Sequence, residues 1–516
     1  MVEVAHWLPT ISAQLGPPTE VSRRVWPLIA AQPILYGAAV VLVRYVGMAT
    51  TLGSIWRPML LVTVASLGSL LVARLVTRSW LWAALISSAF ILFSLREPIQ
   101  GLSLAGFALW WFGISHFRRR SGRPAPSQGI VFFVGRASGI YSVVLFAVAL
   151  ASAWDASLNH EPRVAQPHYE ASGRGGPNMY LLLVDGYPRA DTLDATFGFD
   201  NEPFLHALRQ EGFETSEHAR SNYNKTWLTL ASMLNGRYVT DLLEGTATPG
   251  DPTVQVRWLH SLIDDASILQ IPRDRGYVIK TIASPYASAA LTSADEYIDY
   301  GHITEFEAQL MSQSPWSLMF RDALVSLLVS AQQQTVADSL TGTIELARSE
   351  DPSPQFVLTH VHSPHTPFVL HGPSKPTPTM PECFPRTCAF WNSTIQELQI
   401  GLPEYRNGLV QQIEGLNELL LAAVRDIVVA DPNSVVIIMS DHGSRYSLED
   451  PDEHFRTFFA ARTPGIRGLF ADDESPVNVL RTLFDEYLGS GTDPLPYEGW
   501  ISNWGSDLDL FPYAAD

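Results

Sequence analysis

The first third of the chain contains a series of nearly contiguous apolar segments. A membrane-spanning helix needs roughly 20 mostly apolar residues. Five segments approach this length, namely 26–47, 58–77, 79–96, 99–117 and 129–153. Buried helices of a soluble protein explain so many consecutive runs poorly, and a cleavable signal peptide fits poorly because the first run starts late. The sequence therefore predicts an α-helical transmembrane domain of about five spans over residues 1–154.

Charge divides the chain at the same point. Residues 1–154 carry 12 arginines, no lysine and 3 acidic residues, whereas the remainder carries a net charge of −27. The arginines concentrate before the first span, between the second and third, and between the fourth and fifth, at Arg23, Arg24, Arg74, Arg78, Arg118, Arg119, Arg120 and Arg123. Because positively charged loops remain cytoplasmic, residues after the fifth span are expected outside. This rule explains the arginine cluster better than a nucleic-acid site does, and we expect no nucleic-acid partner.

The remaining sequence changes character after a short polar stretch. Residues 155–177 are rich in glycine and proline and are predicted to form a linker. From residue 178 onward, buried-strand patterns alternate with helical patterns. The predicted strands are 178–184, 277–283, 355–359 and 435–439, and the predicted helices include 316–331, 335–349, 404–430 and 476–488. Residues 178–516 are therefore predicted to form a doubly wound α/β domain.

Two of the predicted strands end in acidic residues. The run 435–439 is followed by Asp441, His442 and Gly443, and the run 178–184 is followed by Asp185. Ligands of open α/β sheets bind outside the carboxyl ends of the strands. A carboxylate beside an imidazole suits a divalent transition metal. A lone aspartate at such a position is often a helix cap, but two strand ends of this kind favour a shared site.

A hydroxyl and a lysine precede an amphipathic segment at residues 226–236. Thr226 is predicted near the N-terminus of a helix, where backbone N–H groups and the helix dipole favour anions. Beside Lys225, this hydroxyl could be the nucleophile of phosphoryl or sulfuryl transfer. Taken alone, the segment favours the simpler interpretation that Thr226 is only the N-cap of the helix.

Histidines and cysteines cluster in the segment after residue 359. His360, His362 and His365 follow one strand, and the neighbouring prolines favour an ordered loop there. The two cysteines, Cys383 and Cys388, are predicted to form a small disulfide loop because an exported domain permits one. A metal site is the less favoured alternative, since no further cysteine and no close histidine completes it.

Together these segments resemble the sulfatase-like branch of the alkaline phosphatase superfamily. The sequence TWLTLASMLNG at 226–236 is similar to the sulfatase pattern C/S-x-P-S-R-A-S-L-L-T-G, with Thr226 at the position of the nucleophile. Membrane-anchored phosphoethanolamine transferases and lipoteichoic acid synthases are the more similar members. They too have five N-terminal spans, an external catalytic domain and a threonine nucleophile.

The resemblance implies roles for particular residues. It implies a metal held by Asp185, Thr226, Asp441 and His442, with His365 on the substrate side and His454 as a second histidine near the site. Lys225 and His362 are expected to bind substrate, although His360 and His362 could instead help to hold a second metal. The Asp-His pair, in place of Asp-Asn, favours zinc or manganese over calcium.

The departures from the sulfatase pattern bear on the reaction. The chain lacks the proline and arginine that accompany maturation of a cysteine or serine to formylglycine, and threonine does not readily become that aldehyde. We therefore expect a multi-pass cell-membrane protein whose extracytoplasmic domain is a metal-dependent phosphotransferase or phosphodiesterase. Its substrates would be membrane phospholipids or envelope glycans. The alternatives are a sulfatase-like sulfuric ester hydrolase and a non-catalytic membrane protein that uses the same fold for binding or sensing.

Overall fold

The structure is a computed structural model that describes residues 20–48, 52–95, 106, 110–111, 128–158, 176–244, 250–284, 286–372, 375–388, 393–446, 451–503 and 505–513. The chain divides into two compact units. The first comprises Met1–Asn159 and Phe306–Arg321, and the second comprises His160–Glu305 and Asp322–Asp516. We call Phe306–Arg321 the inserted segment, because it interrupts the sequence of the second unit.

Helices and strands are numbered here in chain order. The helices are α1 (Glu20–Met48), α2 (Trp56–Thr77), α3 (Trp80–Ser94), α4 (Gln128–Leu158), α5 (Ala190–Phe197), α6 (Glu202–Gln210), α7 (Thr226–Asn235), α8 (Val239–Leu243), α9 (Pro252–Asp265), α10 (Gln270–Asp274), α11 (Glu305–Gln313), α12 (Trp316–Met319), α13 (Arg321–Ala347), α14 (Ile395–Leu398), α15 (Leu402–Ala430), α16 (Asp452–Phe455) and α17 (Pro476–Leu488). The strands are β1 (Met179–Asp185), β2 (Glu214–Thr215), β3 (Val278–Ile282), β4 (Glu296–Ile298), β5 (Gln355–Pro364), β6 (Val435–Ser440), β7 (Phe459–Arg462), β8 (Gly499–Asn503) and β9 (Ser506–Tyr513).

The first unit contains three helices that are long and apolar enough to cross a membrane. These candidate spans are Ile29–Met48, Gly53–Thr77 and Phe133–Asp155. The third predicted span appears as α3, an apolar helix of 15 residues, which is shorter than the usual length of a span. The fourth predicted span, 99–117, and the arginine-rich loop after it lie almost entirely outside the described residues. The total of five spans stays a prediction.

In this unit α2 runs antiparallel to α1, whereas α4 runs parallel to α1. One apolar cluster joins the C-terminal halves of α1 and α4 with the N-terminal part of α2, through residues such as Tyr45, Ala149 and Met59. A second cluster joins the opposite ends, including Ile29 on α1 and Leu70 on α2. The remaining face of α2 exposes apolar side chains, as expected for a surface that contacts lipid: Leu60, Leu61, Val64, Leu67, Leu71, Val72, Leu75 and Val76.

The second unit is built on a mixed seven-stranded sheet with the order β2-β7-β6-β1-β5-β3-β4. The neighbours β6, β1, β5, β3 and β4 are parallel, and β7 and β2 add an antiparallel edge. Every residue of β1, β5 and β6 is buried, which explains their continuous apolar runs. Since β1 lies between β5 and β6, the carboxyl ends of all three meet at one edge.

Helices cover both faces of this sheet. On one face, α7, α9 and α17 contribute to the main apolar core with alternate residues of β1, including Leu181 and Leu183. On the other face, the Thr343 hydroxyl of α13 hydrogen-bonds the Thr359 hydroxyl of β5 at 2.7 Å, and Gln412 of α15 donates to Ser363 Oγ at 3.0 Å. The predicted α/β domain is therefore present.

Two local predictions differ from the structure. Strand β5 extends to Pro364, so His360 and His362 lie on the strand and not in the predicted loop. Burial and pairing with β1 sustain the extended conformation up to the proline. The predicted helices 316–331 and 335–349 are instead the short α12 and a long α13, because no glycine or proline lies between residues 332 and 335 to break the helix. The predicted disulfide between Cys383 and Cys388 is confirmed.

Candidate active site

Three adjacent strand ends bring acidic and imidazole groups to one edge of the sheet. Val184 of β1 pairs with Ser440 of β6, so Asp185 and Asp441 are neighbours. The Gly186 N–H donates to Asp441 Oδ1 at 3.0 Å and links the two strand ends. On the other side, the β1–β5 register shifts between Val184 and Asp185, as in the bulges that often lie beside active sites.

Asp185, Asp441 and His442 form a buried group that could hold a metal ion. His442 Nε2 lies 3.4 Å from Asp185 Oδ1 and 3.4 Å from Asp441 Oδ2. Neither of these carboxylate oxygens has a hydrogen-bond partner among the described residues, although both are buried. Buried polar atoms are normally paired, so this arrangement indicates a partner that is not part of the chain.

The spacing fits a small tetrahedral ion. Zinc bound to nitrogen or oxygen at about 2.0–2.1 Å holds adjacent ligand atoms roughly 3.4 Å apart. The separations from His442 Nε2 match this value, and Thr226 Oγ1 lies 3.5 Å from the same nitrogen. The four side chains predicted to ligate the metal therefore meet around His442 Nε2.

His442 presents the correct nitrogen to this group. Its Nδ1 lies 2.8 Å from the Gly443 carbonyl oxygen, which can only accept a hydrogen bond. Nδ1 must therefore carry the proton, which leaves a lone pair on Nε2. Orientation of a ligating histidine by a backbone carbonyl is a recurrent arrangement at metal sites.

Thr226 is the first residue of α7, and its side chain does not cap the helix. Lys225 occupies the N-cap position, and no side-chain capping hydrogen bond is present there. The helix is fastened to the end of β6, because Ser221 Oγ and Thr229 Oγ1 both donate to the Asp441 carbonyl, at 2.5 and 3.0 Å. The hydroxyl of Thr226 is thus held toward His442.

His360 and His362 contact the second oxygen of Asp185. His360 Nε2 lies 3.3 Å and His362 Nε2 lies 3.9 Å from Asp185 Oδ2. Gln332 donates to His362 Nδ1 at 3.0 Å, so the proton of the neutral imidazole is on Nε2, facing the carboxylate. Burial lowers the pKa of His362 to about 3. His362 therefore lies beside Asp185 as a neutral imidazole, too far away for a hydrogen bond.

The pKa of Asp185 reflects these neighbours. Burial acts to raise it, but the electrostatic interaction with His365 and the hydrogen bond from His360 outweigh burial, and the pKa lies well below its ordinary value. The carboxylate is thus ionised, as a metal ligand must be.

Arg445 is a functional candidate that the sequence analysis missed. It is buried, and its Nη2 donates to His365 Nε2 at 3.1 Å while its Nη1 lies 3.5 Å from the Asn224 carbonyl. His365 Nδ1 in turn donates to the Thr366 carbonyl at 2.9 Å. In the sequence, Arg445 lies three residues after His442 in the same polar segment, and this proximity could have identified it as a candidate. Arg445 brings a guanidinium beside the predicted substrate-side histidine.

Lys225 has a different environment from the one expected of a substrate ligand. Its Nζ lies 2.5 Å from Asp507 Oδ1 and donates to the Asn503 carbonyl at 3.0 Å, both in the β8–β9 hairpin. Burial lowers the pKa of Lys225, and Asp507 opposes that shift. The lysine fastens the start of α7 to the C-terminal hairpin.

His454 is buried in α16, next to the strand end that carries His442. The Gly443 N–H donates to the His454 carbonyl at 2.7 Å. A Cβ at position 443 would lie 2.0 Å from the Glu453 carbonyl oxygen, so only glycine permits this approach. The backbone of His454 is thereby fixed near the site, and a role for its imidazole stays a prediction.

Many solved structures are similar to this chain, at low sequence identity. The integral membrane phosphoethanolamine transferase EptA from Neisseria meningitidis is 13% identical, with coverage of 90% of this chain and 84% of that one and a TM-score of 0.38. The periplasmic domain of EptC from Escherichia coli is 14% identical, with 68% and 97% covered and a TM-score of 0.41. The putative sulfatase YidJ from Bacteroides fragilis is 13% identical, with 66% and 85% covered and a TM-score of 0.41.

Family assignment rests on the sequence. Comparison with curated proteins gives no significant match. The model of the sulfatase family matches residues 154–467, which is more than half of the chain. This match includes Asp185, Thr226, His365, Asp441 and His442. The protein belongs to the sulfatase family.

Proposed function

We propose that the protein is a membrane-anchored, metal-dependent phosphotransferase or phosphodiesterase that uses Thr226 as its nucleophile. The observation that carries this proposal is the position of Thr226 Oγ1, 3.5 Å from His442 Nε2, beside two buried carboxylate oxygens without hydrogen-bond partners among the described residues. A threonine hydroxyl is unreactive at neutral pH and needs such an environment to attack phosphorus.

Asp185, Asp441, His442 and Thr226 would hold one divalent ion, with zinc favoured and manganese the alternative. Two carboxylates, one imidazole and a hydroxyl form a mixed oxygen and nitrogen set that suits either ion. When bound, such an ion supplies positive charge that lowers the pKa of a hydroxyl and stabilises the anion that develops during transfer.

The reaction proposed for Thr226 is an in-line displacement. Thr226 Oγ1 loses its proton and forms a bond to phosphorus while the bond from phosphorus to the leaving alcohol breaks, and the alcohol oxygen takes up a proton. A second alcohol, or water, then attacks the phosphothreonine and restores the free hydroxyl. The position of Thr226 at the start of α7 adds backbone N–H groups and the positive end of the helix dipole.

Arg445 and His365 are assigned to the non-bridging oxygens of the phosphoryl group. Arg445 is a fixed cation, and guanidinium groups bind phosphate oxygens through paired donors. This local charge is needed because residues 155–516 carry a net charge of −27, which repels anions at long range. His454 is the candidate proton donor to the leaving alcohol.

The substrates are proposed to be envelope lipids or lipid-linked glycans. The apolar helices α1, α2 and α4 tether the catalytic sequence to a membrane, where a phospholipid donor is concentrated. From the arginine distribution we expect residues 155–516 on the extracytoplasmic side. Protease added to intact spheroplasts should digest this part of the chain, whereas complete protection would reverse the topology and rule out an envelope substrate.

Sulfuric ester hydrolysis is the second candidate, because the sulfatase family model matches the chain. Threonine at position 226 argues against the usual aldehyde route. One assay distinguishes the two activities. Wild-type protein is incubated separately with a chromogenic phosphodiester and with the corresponding sulfate ester. Cleavage of the sulfate ester alone would overturn the phosphotransferase proposal.

The covalent intermediate provides the most direct test. After incubation with native lipids and an acid quench, mass spectrometry should find a phosphoryl adduct on the peptide that contains Thr226. Metal analysis of the same sample should find about one equivalent of zinc or manganese. A protein with no stoichiometric metal and no adduct would be the non-catalytic binder.

A further inference from the structure

The inserted segment, Phe306–Arg321, packs within the first unit. Phe306 is buried in the cluster that contains Tyr45 and Ala149. Glu307 forms an ion pair with Arg57 at 2.8 Å, at the start of α2. These contacts fix the beginning of the inserted segment against the helical bundle.

The end of the inserted segment is fixed in the same way. Trp316 Nε1 donates to Ser94 Oγ at 2.9 Å, at the last residue of α3. The Trp316 ring lies 5.9 Å from the Phe90 ring and 6.2 Å from the Phe93 ring. The inserted segment is therefore anchored at both ends by apolar and polar contacts within its own unit.

All these contacts lie at one end of the bundle. The cluster around Phe306 contains the C-terminal parts of α1 and α4 and the N-terminal part of α2, and Ser94 ends α3. Tryptophans also mark this end, because Trp56 begins α2 and Trp154 lies near the end of α4, with 62% and 65% exposure. Exposed tryptophans at helix ends are typical of the membrane–water interface.

Three consecutive apolar side chains of the inserted segment face away from this packing. Leu318, Met319 and Phe320 are 64%, 68% and 57% exposed, although Trp316 beside them is packed against α3. The apolar surface they form is continuous along the chain with Trp316, which contacts the last residue of α3 at this end of the bundle. Residues 305–320 contain no lysine or arginine, so attraction to anionic headgroups does not explain it.

We propose that Leu318, Met319 and Phe320 insert into the lipid bilayer, in the leaflet where α1, α3 and α4 end. The inserted segment is thus an interfacial membrane anchor that lies within the sequence of the catalytic unit. Burial of apolar side chains at the boundary between headgroups and acyl chains drives this kind of attachment. This proposal does not depend on the proposed function, since it requires no catalysis.

The proposal is tested by measuring, with a spin label, how deeply residue 319 lies in the bilayer. The only two cysteines, Cys383 and Cys388, are joined in a disulfide, so one new cysteine can be labelled selectively. Met319→Cys carries a nitroxide in the full-length protein, in nanodiscs of equal amounts of phosphatidylcholine and phosphatidylglycerol. Val429→Cys, 81% exposed on α15, is the matched control at an exposed apolar residue elsewhere. Both substitutions replace an exposed side chain and remove no packed group.

Oxygen and a water-soluble nickel chelate distinguish the outcomes, because oxygen concentrates in lipid and the chelate in water. At position 319, the ratio of oxygen accessibility to nickel accessibility should exceed that at position 429 several-fold, and high salt should leave it unchanged. Equal ratios at the two positions would overturn the proposal. A label at 319 shielded from both reagents would also overturn it, because that result indicates a protein partner or a second copy.

A measurement on the unmodified protein provides an independent check. A phospholipid that carries a carbene-generating group near its headgroup should label residues 316–320 on illumination in the same nanodiscs. Absence of labelled peptide from this segment, with labelling of the α2 peptide as the positive control, would contradict membrane insertion.

Discussion

Thr226 lies between two clusters of buried polar side chains. The clusters differ in whether their charged atoms have hydrogen-bond partners. On one side, Lys225 is paired with Asp507 and the Asn503 carbonyl. On the other side, Asp185 and Asp441 each bury a carboxylate oxygen without a hydrogen-bond partner among the described residues, facing His442 Nε2. Burial of an unpaired charge is costly, so the first group is complete as it stands and the second needs a cation.

This difference separates structural from chemical roles. The sequence places Lys225 and Thr226 side by side, and both types of residue occur in phosphoryl-transfer sites. The contacts direct the lysine toward the C-terminal hairpin and the threonine toward the histidine. Arg445 contacts the carbonyl of Asn224, the residue before Lys225, and His365 Nε2.

The largest effect is expected from Thr226→Ala. Loss of the nucleophile should reduce kcat for a chromogenic phosphodiester by about 10⁴-fold or more. Stability should change little, because Lys225 is the N-cap residue and the Thr226 side chain makes no capping bond. Thr226→Ser is the matched control and should retain partial activity. Unchanged turnover by Thr226→Ala would show that the nucleophile is elsewhere.

Arg445→Gln should have the next largest effect. Removal of a fixed donor to the developing negative charge should reduce kcat by about 10²–10³-fold. Arg445→Lys should recover only part of the loss, since an ammonium group lacks the paired donors. Metal content, measured on the same samples, should stay at the wild-type level. A loss of metal together with activity would indicate that Arg445 only supports the metal site.

Asp507→Asn and Asp441→Asn should affect stability in opposite directions in metal-free protein. Asp507→Asn removes the carboxylate that neutralises the buried Lys225 cation and should cost about 3–5 kcal/mol. Asp441→Asn removes an unmatched buried charge and should stabilise the metal-free state, while it weakens metal binding. Denaturant unfolding after chelation measures both changes. Equal destabilisation by the two substitutions would contradict the distinction between the two groups.

The smallest effect concerns Glu474, a buried carboxyl group with only backbone donors, the N–H groups of Ala471 and Ser475 at 3.2 Å. Burial raises its pKa to about 7 from an ordinary value of 4.5. The folded state therefore binds this proton more tightly than the unfolded state does, and stability falls as pH rises from about 4.5 to 7, by roughly 3 kcal/mol. Glu474→Gln should remove this part of the pH dependence. Parallel profiles of Tm against pH for the two proteins would disprove it.

Much of the catalytic sheet could be predicted from the sequence. The apolar runs before Asp185 and Asp441 are strands because both faces of the sheet are covered, and the change to polar residues marks their carboxyl ends. The sequence pattern places the end of β5 at residue 359, because the polar His360 and His362 follow the apolar run, whereas the strand extends to Pro364. Their burial beside Asp185 explains why they remain extended.

Local sequence thus determined which residues end the central strands, where the apolar helices lie and that a hydroxyl begins α7. Tertiary structure alone decided that Lys225 pairs with Asp507, that Arg445 reaches His365, and that Phe306–Arg321 belongs to the first unit. The physical reason is the distance along the chain over which each kind of interaction acts. Strand and helix patterns arise from side chains a few residues apart, whereas a buried charge is stabilised by whichever opposite charge the fold brings near, here 282 positions away in the chain.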